Sequence, residues 1–193
     1  MAPDPITLAL DDLVLRPWRA DDATWMLAAG TDPVVTRWTH LPHPFGAQEA
    51  RAYVDAAMAT GDDGASAAFV IADRQLGRAL GAVTRFGPEG HIATVGLWLL
   101  PEARGRGVGT RALRLVIDWT FATTSVERID CYIELGNEPS MRMVERVGFR
   151  REGLLRAWEV GPDGPIDCVV WSILRTDERW NPRWAPDPRH ARG

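Results

Sequence analysis

Several features are scarce in this 193-residue chain, and each scarcity excludes a class of function. Cysteine occurs only at Cys131 and Cys168, each inside an apolar run, with no CxxC pair and no Cys/His spacing suited to a metal. Both read as small core residues, and no metal site is expected. Excess positive charge is missing too: 22 Lys plus Arg against 26 Asp plus Glu give a net charge of −4. Overall charge therefore does not draw the chain to nucleic acid, and any basic ligand site must be local. No apolar stretch approaches the length of a bilayer span, so no membrane partner is expected. Met1-Ala-Pro-Asp-Pro5 lacks the basic region and apolar run of a signal peptide, which makes a cytoplasmic location the default expectation. No internal repeat is visible. What is present is an ordinary globular composition, 46% hydrophobic and 25% charged, in a length that predicts one domain with a full core.

Taken in order, Ile6–Leu10 and Leu13–Pro17 read as extended segments around an Asp-Asp turn. Asp21-Asp22 are placed to cap a helix over Ala23–Ala29 that stops at Gly30. Asp32-Pro33 predicts a second short helix towards Trp38. Gln48–Thr60 predicts a third, ended by Gly61. Ala67–Ala72 and Leu80–Phe86 form a hairpin pattern, and His91–Leu100 is a further strand. Arg128–Glu134 alternates Ile129/Cys131/Ile133 against Asp130/Tyr132/Glu134, a clear strand period. Asn137-Glu-Pro-Ser140 is turn and cap chemistry, with Ser140 a candidate cap for a helix to Val147 ended by Gly148. Phe149–Val160 and Ile166–Leu174 are the last strands. The tail 176–193 reads as a loose extension, leaving a core of about 8–175. The order predicts an α+β fold with a mostly antiparallel sheet and one parallel crossover.

That crossover holds the most informative stretch. Val95–Leu100 favours a buried, extended backbone, Pro101 ends it, and from Thr110 the residues Leu113, Val116, Ile117 and Phe121 recur at helical spacing. Between them lie Arg104, Gly105, Arg106, Gly107, Val108 and Gly109. Glycines there let the backbone turn tightly and approach a ligand closely. The unpaired N–H groups and positive dipole of a helix start favour an anion, and two arginines add charge, so a phosphate ligand is expected. A Walker loop is excluded, because no Gly-Lys-Ser/Thr follows the glycines. Gly107-x-Gly109-x-x-Ala112 with Asp130 downstream fits a permissive dinucleotide-binding fingerprint. Against it stand the Pro101-Glu-Ala-Arg spacer and the antiparallel look of the preceding half.

Arg104-x-x-Gly107-x-Gly109 after a strand ending Leu-Leu-Pro-Glu resembles the acetyl-CoA loop of the GNAT N-acetyltransferases. Leu13–Ala23 resembles the first strand and helix of their RimJ/RimL-like branch. Asn137-x-x-Ser140, then Val144–Phe149-x-x-Glu152-Gly153, then Arg156, Asp167 and Trp171–Leu174 continue that likeness, which covers about residues 13–175. The resemblance implies a GNAT-type sheet of about seven strands, helices on both faces, and splayed fourth and fifth strands. It implies that main-chain groups of Arg106–Thr110 hold the coenzyme A pyrophosphate, with charge from Arg104 and Arg106. By the same likeness, main-chain groups at Leu97, Trp98 and Leu99 pair with the pantetheine arm, and Asn137 binds its amides. Acetyl-CoA is then a cosubstrate, an amine is the acceptor, and a homodimer is possible.

The proton-transfer residues are less legible. Val144 stands where many GNAT enzymes carry an acidic tyrosine, and Thr94 where a glutamate is common. Ser140 is the first candidate acid, with a plain helix cap as its other reading. Tyr132 points either into an acceptor cleft or out as a sheet-surface aromatic. Glu134 and His91 are base candidates that read equally as solvated strand residues, and a water chain is a third option. Glu152 fits packing and turn formation. Of the tryptophans, Trp98, Trp119 and Trp171 fall on core periodicities, whereas Trp18, Trp25, Trp38 and Trp158 lie where the family shapes its acceptor site. Arg142, Arg146, Arg150 and Arg151 form a basic cluster, either facing the adenosine 3′-phosphate or lining a solvated surface. The competing reading from another class is a non-catalytic acyl-CoA-binding sensor.

Overall fold

Strand and helix bounds follow the hydrophobic pattern closely. In the computed structural model, which describes residues 6–39, 41–42, 44–60, 66–161 and 163–177, there are eight strands and five α-helices among the described residues. The strands are β1 (Leu8–Leu10), β2 (Leu13–Pro17), β3 (Ala67–Asp73), β4 (Ala79–Glu89), β5 (Ile92–Leu99), β6 (Arg128–Glu134), β7 (Arg150–Gly161) and β8 (Gly164–Leu174). The helices are α1 (Ala23–Ala29), α2 (Pro33–Thr39), α3 (Ala47–Ala59), α4 (Val108–Thr123) and α5 (Glu138–Val147). All eight strands join one sheet in the order β1-β2-β3-β4-β5-β6-β8-β7. The fold is therefore mixed α+β. Eight strands agree with the expected sheet of about seven, and the three-residue β1 pairs in its own right, Leu8↔Leu15 to Leu10↔Leu13. Residue 61 and the tail from 178 onward, for which a helix stop and a loose extension were expected, lie outside the described residues.

The chain divides into two compact units, Met1–Thr84 with Leu97–Gly109, and Arg85–Gly96 with Thr110–Gly193. In the first, Met26, Ala29, Ala50, Val54, Val70, Ala72 and Ala82 form an apolar cluster with Trp18 and Leu100. Asp21-Asp22 do not cap α1 directly. Ala20–Asp22 is a one-turn 3-10 helix running into it, and Asp22 is a buried anchor. Its carboxylate accepts from both Arg16 guanidinium nitrogens at 2.8 and 2.6 Å, from Trp25 Nε1 at 2.7 Å and from Arg19 N at 2.8 Å. Burial works against its charge, yet these donors hold the carboxyl below its ordinary value.

In the second unit, α4 buries Ala112, Leu113, Leu115, Val116, Ile117, Trp119 and Phe121. Burial on nearly every side marks a central helix rather than a surface one. β5 runs parallel to β6 over three pairs, Ile92↔Arg128, Ala93↔Ile129 and Thr94↔Asp130, and β8 pairs antiparallel with both β6 and β7. Arg85 on β4 is also buried, which the strand pattern did not signal; its guanidinium lies 5.0 Å from the Trp119 ring centroid and bonds to the Gly87 carbonyl.

Gly81 on β4 permits the closest backbone approach in the first unit: a Cβ there would stand 2.3 Å from the Trp98 carbonyl oxygen, at φ +151°. Gly81→Ala is therefore expected to cost about 2 kcal/mol or more, lowering the melting temperature by about 4–8 °C. Thermal unfolding followed by circular dichroism checks this; an unchanged midpoint would refute the close approach.

Candidate active site

The glycine loop belongs to the first unit, and its local conformation is the one its residues require. Gly105 and Gly107 adopt φ +70° and +72°, and a Cβ on either would meet nothing within 4 Å. Both are exposed, as is Arg106, whose guanidinium donates to the Glu102 carbonyl at 3.2 Å. The loop leads into α4, which begins at Val108 and carries Gly109 and Thr110 in its first turn. First-turn N–H groups have no partner within the helix, so they are available to an anion. Open space over positive-φ glycines, next to those donors, fits a phosphate group approaching the backbone.

Arg104 points elsewhere. Its Nε and one terminal nitrogen donate to the Leu99 carbonyl at 3.1 and 2.9 Å, and it forms an ion pair with Asp32 at 2.5 Å. Asp32 in turn caps α2, accepting from Val34 N at 3.1 Å and Val35 N at 2.8 Å. Burial opposes the Asp32 charge, but Arg104 and the two α2 amides hold its carboxyl below the usual range. The guanidinium thus fixes the end of β5 and the start of α2. Leu97, Trp98 and Leu99 are half-buried. The Trp98 indole donates to the Tyr53 hydroxyl at 3.2 Å within a ring cluster of Trp18, Trp25 and Tyr53. The Arg37 guanidinium lies 4.3 Å from the Trp38 ring centroid.

The second unit holds the other candidates. Asn137, not Ser140, caps α5: its side-chain oxygen accepts from Ser140 N at 3.3 Å. The cap engages the carboxamide oxygen of Asn137 and not its nitrogen, and the Ser140 hydroxyl makes no hydrogen bond to another described residue. Val144 is buried, so core packing explains the residue at that position. Tyr132 stacks on Trp158 with centroids 4.9 Å apart. Burial, then the negative charge of Asp130, push its phenol up, so it stays protonated at neutral pH. Glu134 is half-buried opposite Cys168, while His91 is exposed and its carbonyl accepts from Glu127 N and Arg128 N.

Two residues gained roles that spacing alone did not suggest. Glu152 forms an ion pair with Arg128 at 2.6 Å and accepts from the Ser172 hydroxyl at 2.5 Å. Asp130 is buried where the β5–β6 ladder ends, and burial raises its carboxyl despite Arg128 Nε at 2.7 Å. Of the basic cluster, Arg142 lies 4.0 Å from Glu138 and Arg150 pairs with Asp177 at 2.9 Å. Among the described residues no group of His, Cys, Asp or Glu has metal-holding geometry, and no helix is long and apolar enough to cross a membrane.

Residues 12–150 match the family described as the acetyltransferase (GNAT) domain. The uncharacterized N-acetyltransferase p20 of Bacillus licheniformis is 25% identical over 173 residues, covering 89% of this chain and 97% of that one. A ribosomal-protein-S5-alanine acetyltransferase from Vibrio fischeri superposes with a TM-score of 0.75 at 20% identity, over 92% of this chain and 100% of that one. RimL, a ribosomal L7/L12 alpha-N-protein acetyltransferase solved with coenzyme A, gives 0.76 at 15% identity, over 88% and 98%. At these identities the two structural likenesses speak to the fold.

Asp32→Asn keeps a good helix cap and removes the charge facing Arg104. Because the Asp32 carboxyl is held low when folded, its stabilisation is present above the unfolded value and lost as pH falls through the folded one. Wild type should exceed Asp32→Asn by about 1 kcal/mol at pH 7, with the gap closing below about pH 4. Urea unfolding at stepped pH measures it, and a pH-independent gap would contradict the ion pair.

Proposed function

Since this chain belongs to the GNAT acetyltransferase family, whose activity is acetyl-CoA-dependent N-acetylation, we propose that its acceptor is a primary amine, on a protein N-terminus or a small molecule. The observation that carries the donor half is the exposed Gly105–Gly107 loop, with its positive-φ glycines and open Cβ positions at the start of α4. Its backbone N–H groups, from Arg106 to Thr110, hold the pyrophosphate, and the exposed Arg106 adds charge. Arg104 acts as a positioning residue, fixing the Leu99 carbonyl and hence the end of the strand along which the pantetheine arm lies. Main-chain groups at Leu97–Leu99 pair with that arm as an added strand pairs with a sheet edge. The Asn137 carboxamide nitrogen donates to a pantetheine amide.

Acetyl-CoA supplies an acyl thioester already activated towards amines. The protein's own part is to bind, orient and move protons. A backbone N–H on β5 polarises the thioester carbonyl. The Ser140 hydroxyl, free of other side-chain duties at the first turn of α5, is the donor for the departing sulfur. Glu134 on β6 is the carboxylate that receives the proton from the amine.

Gly107→Trp should abolish acetyl-CoA binding by calorimetry, because a side chain at φ +72° strains the loop and its ring enters the phosphate's space; unchanged affinity in the folded variant would remove the assignment. Ser140→Ala should lower kcat about tenfold or more with little change in KM for acetyl-CoA, and a wild-type rate would reduce Ser140 to a helix residue. Coenzyme A release on an amine panel is the assay, and absence of turnover on every amine would favour the sensor. The chain contains no lysine, so ε-acetylation of the enzyme itself adds no background.

A further inference from the structure

β7 carries an irregularity that serves one side chain. Between Leu155↔Cys168 and Glu159↔Ile166, β7 runs through Arg156, Ala157 and Trp158 while β8 has only Asp167. Ala157 sits at φ +52°, a left-handed conformation that non-glycine residues rarely adopt. Its N–H is held by the Asp167 carboxylate at 2.8 Å. Bulges of this kind re-aim side chains and recur beside functional sites. Here the outcome is that the Trp158 ring lies on Tyr132, 4.9 Å between centroids and 28° between planes.

Trp158 is nevertheless 50% exposed, so the bulge does not serve to bury it. The other aromatic cluster behaves differently: Trp18 is 5% exposed and its neighbours pack round an apolar core. Tyr132 lies two residues past the Thr94↔Asp130 pair at which the ladder between β5 and β6 stops, on the same strand face as Asp130 and Glu134. Carboxylates lie beside the pair: Asp130 and Glu89 act on Tyr132, and Asp167 holds the amide that precedes Trp158. The positive charge acting on Tyr132 is Arg128, already engaged by Asp130 and Glu152. A half-exposed aromatic pair in a negative field favours a cation over its rings, above all an ammonium or its alkylated forms.

We propose that the Tyr132–Trp158 pair, with the Asp130 and Asp167 carboxylates beside it, binds the ammonium group of a cationic amine that serves as acetyl acceptor. This rests on the N-acetyltransferase reading and narrows it to multiply cationic acceptors, with the rings holding one charged nitrogen while another amine reacts.

Calorimetric titration of the full chain tests it, with trilysine in one arm, spermidine in a second, and N-acetylated, C-amidated triglutamine as the uncharged control. Wild type should bind at least one cation and not the control. Binding of spermidine alone identifies small polyamines as the source; binding of trilysine identifies a peptide. Trp158→Leu should weaken that binding about tenfold, and Trp158→Phe should retain most of it. Because Trp158 is half-exposed, both variants should keep the wild-type melting temperature and acetyl-CoA affinity. Absence of cation binding by wild type, or equal binding by Trp158→Leu, overturns the inference while leaving the donor assignment standing. Loss of acetyl-CoA binding in wild type would instead bring down the enzymatic reading, since cation titration needs no acetyl-CoA.

Discussion

Parallel strands β5 and β6 share three residue pairs, and their ladder stops at Thr94↔Asp130 although β5 continues to Leu99 and β6 to Glu134. Backbone polar groups that leave a ladder require another partner or water. Much of the local chemistry follows from that constraint. The last carbonyl of β5, at Leu99, is held by Arg104. On β6, the residue at the ladder's end is a buried carboxylate, and the next one on that face is Tyr132. On β6, ionisable and aromatic side chains follow one another where its pairing with β5 ends.

Arg104 illustrates how a motif residue serves a site indirectly. Its charge lies in the loop that a phosphate would approach, but its guanidinium organises the scaffold, binding the Leu99 carbonyl and the carboxylate that starts α2. Removing the side chain would leave a backbone carbonyl and a helix cap without their donor, so loop geometry and helix placement are linked through one planar group. A lysine could not reproduce the forked contact.

Periodicity made the strands and helices legible, because burial on one face repeats every two or 3.6 residues. The glycine loop was legible because its backbone demands are local to six residues. Long-range pairings were not. Asp32 and Arg104 are 72 residues apart, Arg128 and Glu152 are 24 apart, and nothing in local spacing ties either pair together. Asn137 rather than Ser140 caps α5, since both are good caps and only the turn geometry chooses. Glu152 is likewise an ion-pair partner rather than simple turn packing. The bulge that presents Trp158 was hidden because β7 shows weak alternation and its irregularity resides in a non-glycine residue.

The two cysteines carry a practical consequence. Both are buried, and burial pushes the Cys131 thiol up and the Cys168 thiol up to about 11. At neutral pH neither presents a thiolate, the form that reacts with maleimides and oxidants. The wild-type chain is thus already a quiet background for thiol labelling. A fluorophore or spin label attached to one introduced surface cysteine would report from that position alone, without first deleting the natural pair.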